Sequence, residues 1–90
     1  MAKIKPSIRP TETYTETNFL RVYTAPLPDR PELRSATIEH LSYRSDGNRP
    51  GWHCETIADG EVMSKEDALF IARSYAQRNG VPVIYESHGE

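Results

Sequence analysis

The sequence predicts an α+β fold in which a three- to four-stranded, mainly antiparallel sheet packs on one α-helix. Three observations carry that expectation. Residues 18–25 and 51–58 alternate in side-chain character with a period of two, as half-buried strands do. Residues 65–78 repeat their apolar positions at helical spacing between a capping serine and an Asn-Gly stop. Ninety residues leave room for one hydrophobic core and not for two. The expected order is β-β-β-β-α-β, in a single domain over residues 18–86.

Residues 1–17 read as a flexible N-terminal arm. Pro6 and Pro10 break any helix there, and Lys3, Lys5 and Arg9 give it a basic tint. From Thr11 to Thr17 the residues suit a strand, yet only Tyr14 is hydrophobic, so the order of that run stays open. Asn18–Ala25 is the first clear strand, with Phe19, Arg21 and Tyr23 on one side and Leu20, Val22 and Thr24 on the other. Pro26-Leu27-Pro28 ends it. Asp29 and Glu32 then have the spacing of a helix cap, which allows one helical turn before a strand over Ala36–Arg44. Ile38 falls off the face that Leu33, Thr37 and Leu41 would share on a helix, which favours the strand over Ala36–Arg44, while strand or helix over residues 31–43 stays open.

Ser45–Gly51 has the composition of a loop. Gly51–Ala58 is expected to be a strand that turns at Asp59-Gly60 into a type I′ hairpin. That turn would place Ala58 opposite Glu61, Ile57 opposite Val62 and Thr56 opposite Met63. Trp52, Cys54, Thr56 and Met63 would then share one face, and His53, Glu55, Ile57 and Val62 the other. Ser64 caps the helix and Asp67 stands three residues on. Ala68, Leu69, Ile71, Ala72, Tyr75 and Ala76 form its apolar stripe. Asn79-Gly80 stops it, Pro82 prevents its continuation, and Val83–Tyr85 makes a last strand before a frayed tail over residues 87–90. The expected core is Leu20 and Val22 (or Phe19 and Tyr23), Ile38, Trp52, Cys54, the helix stripe and Ile84.

A formal net charge of −2 gives no general attraction for nucleic acid or an anionic membrane. No apolar run approaches the roughly 20 residues that span a bilayer, and the N-terminus has no apolar signal region, which points to a cytoplasmic protein. With one cysteine, no internal disulfide forms. Cys54 has His53 beside it, but neighbours on a strand face opposite ways, so His53 cannot act as its base. Cys54 reads as a small buried hydrophobe next to Trp52. His40, His53 and His88 lack the paired spacing of a structural zinc site, so no metal is expected. Asp59 is accounted for by a turn, and Glu55 and Glu61 by a solvated strand end. Gly47, Gly51 and Gly60 do not have phosphate-loop spacing. No catalytic motif is present and no cofactor is implied.

The run Gly51-Trp52-His53-Cys54-Glu55, then Asp59-Gly60-Glu61, then Ser64-Lys65-Glu66-Asp67-Ala68-Leu69 resembles the tryptophan, Asp-Gly turn and capped helix of the arm-binding domains of phage-type integrases. It is also similar to small bacterial and phage β-β-α-β proteins grouped as domains of unknown function. The resemblance covers about Gly51 to Tyr85. In the integrase-type domains it implies DNA read by the sheet face away from the helix. Here that face would carry His53, Glu55 and Ile57 with Asp59 and Glu61 at its tip, and carboxylates repel phosphates.

The functional expectation is a non-enzymatic protein-interaction module of bacterial or phage origin, binding another protein or itself as a homodimer. Phe70 breaks the helix pattern by lying among polar residues, so Phe70, Arg73 and Gln77 are the candidate partner contacts. The alternative is a weak nucleic-acid-binding accessory role through Arg21, Arg44 and Arg49.

Overall fold

The computed structural model describes residues 3–6, 17–44 and 50–89. Its elements are β1 (Lys3–Pro6), β2 (Asn18–Leu27), β3 (Arg30–Arg44), β4 (Gly51–Met63), α1 (Lys65–Asn79) and β5 (Val83–His88). The architecture is α+β, with one mixed sheet and one helix across it. In space the strands run β1-β5-β2-β3-β4, and the short β1 is one edge. The long β2–β3 and β3–β4 pairs are antiparallel, whereas β5 runs parallel to both β1 and β2.

The hairpin lies elsewhere than expected. β2 and β3 are joined through Pro28 and Asp29, with Leu27 opposite Arg30, so the segment read as a possible helical turn is a strand-to-strand reversal. The register jumps between Pro26 and Leu27, which leaves Pro31, Glu32 and Leu33 without ladder partners. Proline, which has no N–H, is suited to such an irregular place. Beyond it, residues 34–44 are strand, as the off-face position of Ile38 suggested.

Asp59-Gly60 does not reverse the chain. β4 continues through it, and Ala36 pairs with Glu61 while Ile38 pairs with Ala58, so Thr37 alone stands against two residues. This is a β-bulge. Gly60 has the left-handed φ of 64° that the hairpin also demanded, but among the described residues only glycines have positive φ, so Asp59 is not left-handed. Gly60 N donates to Thr37 Oγ1 at 3.2 Å. A second slip falls at Ile57, because Ala58 opposes Ile38 while Thr56 opposes Glu39. The expected pairs of Ala58 with Glu61, Ile57 with Val62 and Thr56 with Met63 are therefore replaced by pairs to β3.

The helix forms where its caps direct. Ser64 is extended, and its side chain accepts from Asp67 N at 3.0 Å. Gly80 closes the other end at φ 66°. Ala68, Ala72 and Ala76 recur every four residues and are buried, a ridge small enough for close approach to the sheet. They pack on Leu20, Val22, Ala36, Ile38, Ala58 and Ile84, with Ile57, Met63, Ile71 and Tyr75 around the margin. Phe19, Val83 and Tyr85 form a second buried group, with Leu41 packed against it.

Further expectations are corrected. Lys3–Pro6 is a strand on β5 rather than loose arm, and Ser87 and His88 belong to β5 rather than to a frayed tail. Trp52 and Cys54 are exposed, not core. Met63 packs with the helix-side core and not with Trp52, because the bulges change which way the strand presents it. Of the two choices for the first strand, Leu20 and Val22 are core as expected, while the alternative pair divides, Phe19 being buried and Tyr23 exposed. The question of order over Thr11–Thr17 lies, but for Thr17, outside the described residues.

Candidate functional site

The sheet presents its helix-free face as a band of aromatic side chains. Residues directly opposite one another share a face, so Phe19, Leu41 and Cys54 lie together, as do Tyr43 and Trp52. The Tyr43 and Trp52 rings meet edge to face with centroids 5.7 Å apart. Phe19 links them inward, 5.8 Å from Trp52 and 5.2 Å from Tyr85. Phe19 and Tyr85 are buried, whereas Trp52 is 51% and Tyr43 43% exposed. The band thus has a packed root and an open end.

Arg21 and Glu39 sit opposite each other on the same face. Arg21 donates from Nη2 at 2.8 Å and from Nε at 3.2 Å to Glu39 Oε1. The other oxygen of Glu39 receives the Cys54 thiol at 3.5 Å. Surrounding protein removes part of the water around that sulfur, and the Glu39 hydrogen bond and charge add to the effect, so the thiol titrates above its ordinary value. Arg21 opposes this more weakly. Cys54 is therefore exposed yet holds its proton, a combination that sequence alternation did not disclose.

The opposite side of β3 and β4 forms a polar cleft of about 240 Å³ with α1, lined among others by His40, Arg44, His53, Glu55, Tyr75 and Asn79. His40 Nε2 lies 2.6 Å from Asn18 Oδ1, an atom that only accepts, so this nitrogen carries a proton. His40 Nδ1 faces the Tyr75 hydroxyl at 2.9 Å, and the same hydroxyl is 3.3 Å from Glu55 Oε2. Loss of surrounding water, then the negative charge and hydrogen bond of Glu55, raise the Tyr75 hydroxyl above its usual range. Both ring nitrogens of His40 are thus engaged in bonds that tie β2, β3 and α1 together.

Of the residues expected to contact nucleic acid, Arg21 and Arg44 are not brought together. Arg21 is on the helix-free face in its pair with Glu39, Arg44 lines the cleft on the other side, and Arg49 lies outside the described residues. Phe70, Arg73 and Gln77 are all exposed on the outside of α1, with Phe70 at 71%. His53 lines the cleft while His88 is at the far end of β5, with Nδ1 2.6 Å from Thr24 Oγ1. Tyr43, Asn18 and Glu39 were not singled out by sequence, and Tyr75 was read only as part of the helix stripe. Tyr43 shares the alternation of Glu39 and Leu41, which was a usable signal, but its pairing with Trp52 required the β3–β4 register. No family model, no curated protein and no solved structure matches the chain.

Proposed function

We propose that this chain is a non-enzymatic protein-interaction module that binds a partner protein through the helix-free face of its sheet. The exposed Tyr43–Trp52 pair carries the reading. Large aromatics on a rigid strand offer much contact area while losing few rotamers, and they dominate interface energetics. The packed root of Phe19 and Tyr85 holds that pair in place before a partner arrives. A non-enzymatic role is supported by Cys54, whose thiol keeps its proton beside Glu39, and by His40, whose ring nitrogens are both committed. Phe70, Arg73 and Gln77 supply a second, smaller contact on the helix. The bacterial or phage origin and the cytoplasmic setting rest on the resemblance and composition; no helix among the described residues is long and apolar enough to cross a membrane.

The test compares proteins captured from lysate by the parent chain and by Trp52→Ser, followed by titration of the purified candidate. Trp52 is the only tryptophan, so its fluorescence reports the contact. Binding that shifts Trp52 emission and weakens at least about tenfold in Trp52→Ser supports the reading. Equal capture by parent and variant overturns it.

A second reading follows from the same rings. Exposed aromatics on a sheet can stack the bases of single-stranded nucleic acid, although here Arg21 is already tied to Glu39 and the chain is net acidic. Tight binding of an oligothymidylate at moderate salt, with a steep salt dependence, would put this reading first.

A further inference from the structure

We propose that the first half of β4 pairs with the same segment of a second copy, in antiparallel fashion, about a two-fold axis through Cys54. The proposal rests on the reading of this chain as a binding module, but it uses the strand edge and not the aromatic face. Among the described residues β4 is an edge strand, thirteen residues long, against four in β1 at the other edge. An unprotected edge of that length is a template for strand addition, and bulges are a common way to block it. Here the bulges are confined to the second half, at Ile57 and at Asp59-Gly60. From Gly51 to Thr56 the ladder with β3 is regular, and Trp52 to Thr56 are all exposed. Pro50, which has no N–H, limits the open stretch at its other end.

The register follows from symmetry. In a two-fold antiparallel pair the opposed residues share a face, so the axis passes through a residue and not between two. The limits at Pro50 and Ile57 leave His53 and Cys54 as central choices. An axis at His53 sets His53 against its own copy and Glu55 against Gly51. An axis at Cys54 sets His53 against Glu55 of the second copy, twice, and Trp52 against Thr56. Only the second arrangement gives each carboxylate an imidazole partner, and cross-strand pairs of this kind select register. It also sets the two Cys54 residues opposite each other, with Cα atoms about 4.5–5.5 Å apart. The two sheets become one, and both aromatic bands lie on the same side of it.

The full chain is examined by sedimentation over a range of concentrations, and treated with a short bis-maleimide that reacts at Cys54. A concentration-dependent dimer that cross-links through Cys54 is expected. His53→Glu, an exposed position, should weaken it at least about tenfold. The exchange His53→Glu with Glu55→His should restore the dimer to within about threefold, because the same pair is rebuilt in reverse. Circular dichroism checks that both variants fold. A chain that stays monomeric at every concentration overturns the proposal, as does a dimer indifferent to His53→Glu or not rescued by the exchange. Either result leaves capture through Trp52 unaffected, so the two surfaces are judged separately.

Discussion

The two faces of the sheet are built from different side chains. Under α1 it is aliphatic and small, with Leu20, Val22, Ala36, Ile38, Ala58 and Ile84 meeting three alanines of the helix. On the other face it is aromatic and graded, buried at Phe19 and Tyr85 and open at Tyr43 and Trp52. The first is a surface chosen for close approach, where a lost methylene leaves a hole. The second keeps large rings half in water, where their removal costs less and their presence is available to something else. On the proposed function, stability and recognition would fall on opposite sides of one set of strands.

The comparison can be broken by measurement. Ile38→Ala, on the helix side, should destabilise by about 2–5 kcal/mol in urea unfolding, since Ile38 is fully buried. Trp52→Ser should lose less, about 1–3 kcal/mol, the value of its two edge-to-face contacts, and equality of the two variants would show that the faces are not divided as described. Gly60→Val should cost more than about 1 kcal/mol, because a β-branched residue resists φ 64° and its Cβ would meet Ser35 Oγ at 3.4 Å. A variant melting like the parent would mean that the bulge does not hold β4 in register.

Smaller effects sharpen the picture. Cys54 should be alkylated by iodoacetamide near pH 8 more slowly than a thiol in an unstructured peptide, despite its exposure, because its raised pKa reduces the thiolate. Glu39→Gln removes both the charge and the carboxylate acceptor, so the reaction should accelerate; an unchanged rate would show that Glu39 does not hold the proton. Phe70→Ser should leave stability within about 0.5 kcal/mol of the parent, since the ring stands clear on the outer side of α1. Unfolding of this variant would reveal a third layer over the helix.

What could be read from sequence was the part governed by local chemistry. Ser64 and Gly80 define α1 by capping hydrogen bonds within a few residues, and the helix ends at Asn79, one residue past the expected limit. Alternation correctly grouped Trp52, Cys54 and Thr56 on one face. It could not say which face the helix would cover, because period two labels sides without ranking them. The Asp59-Gly60 pair misled for a related reason. A left-handed glycine serves a tight reversal and a bulge equally well, and the two differ only in where the following residues find partners. The three residues left for a returning strand, Glu61 to Met63, were a warning that a hairpin there had too little to pair. Pro28-Asp29 lacked the usual glycine of a hairpin, so the actual reversal carried no strong local mark.

The position of β5 has a consequence in time. It is the last of these strands to leave the ribosome, yet it lies between β1 and β2. While the nascent chain lengthens, β1 has no neighbour to join, and β2 offers a bare flank to any passing polypeptide. The flank of β2 can close, and β1 can join the sheet, only when Val83–His88 emerges, with Ile84 completing the floor beneath Ala68, Ala72 and Ala76. A stalled or prematurely terminated translation product would therefore be a three-stranded β2-β3-β4 sheet with an open flank and β1 left unattached, a species for chaperones and proteases to remove.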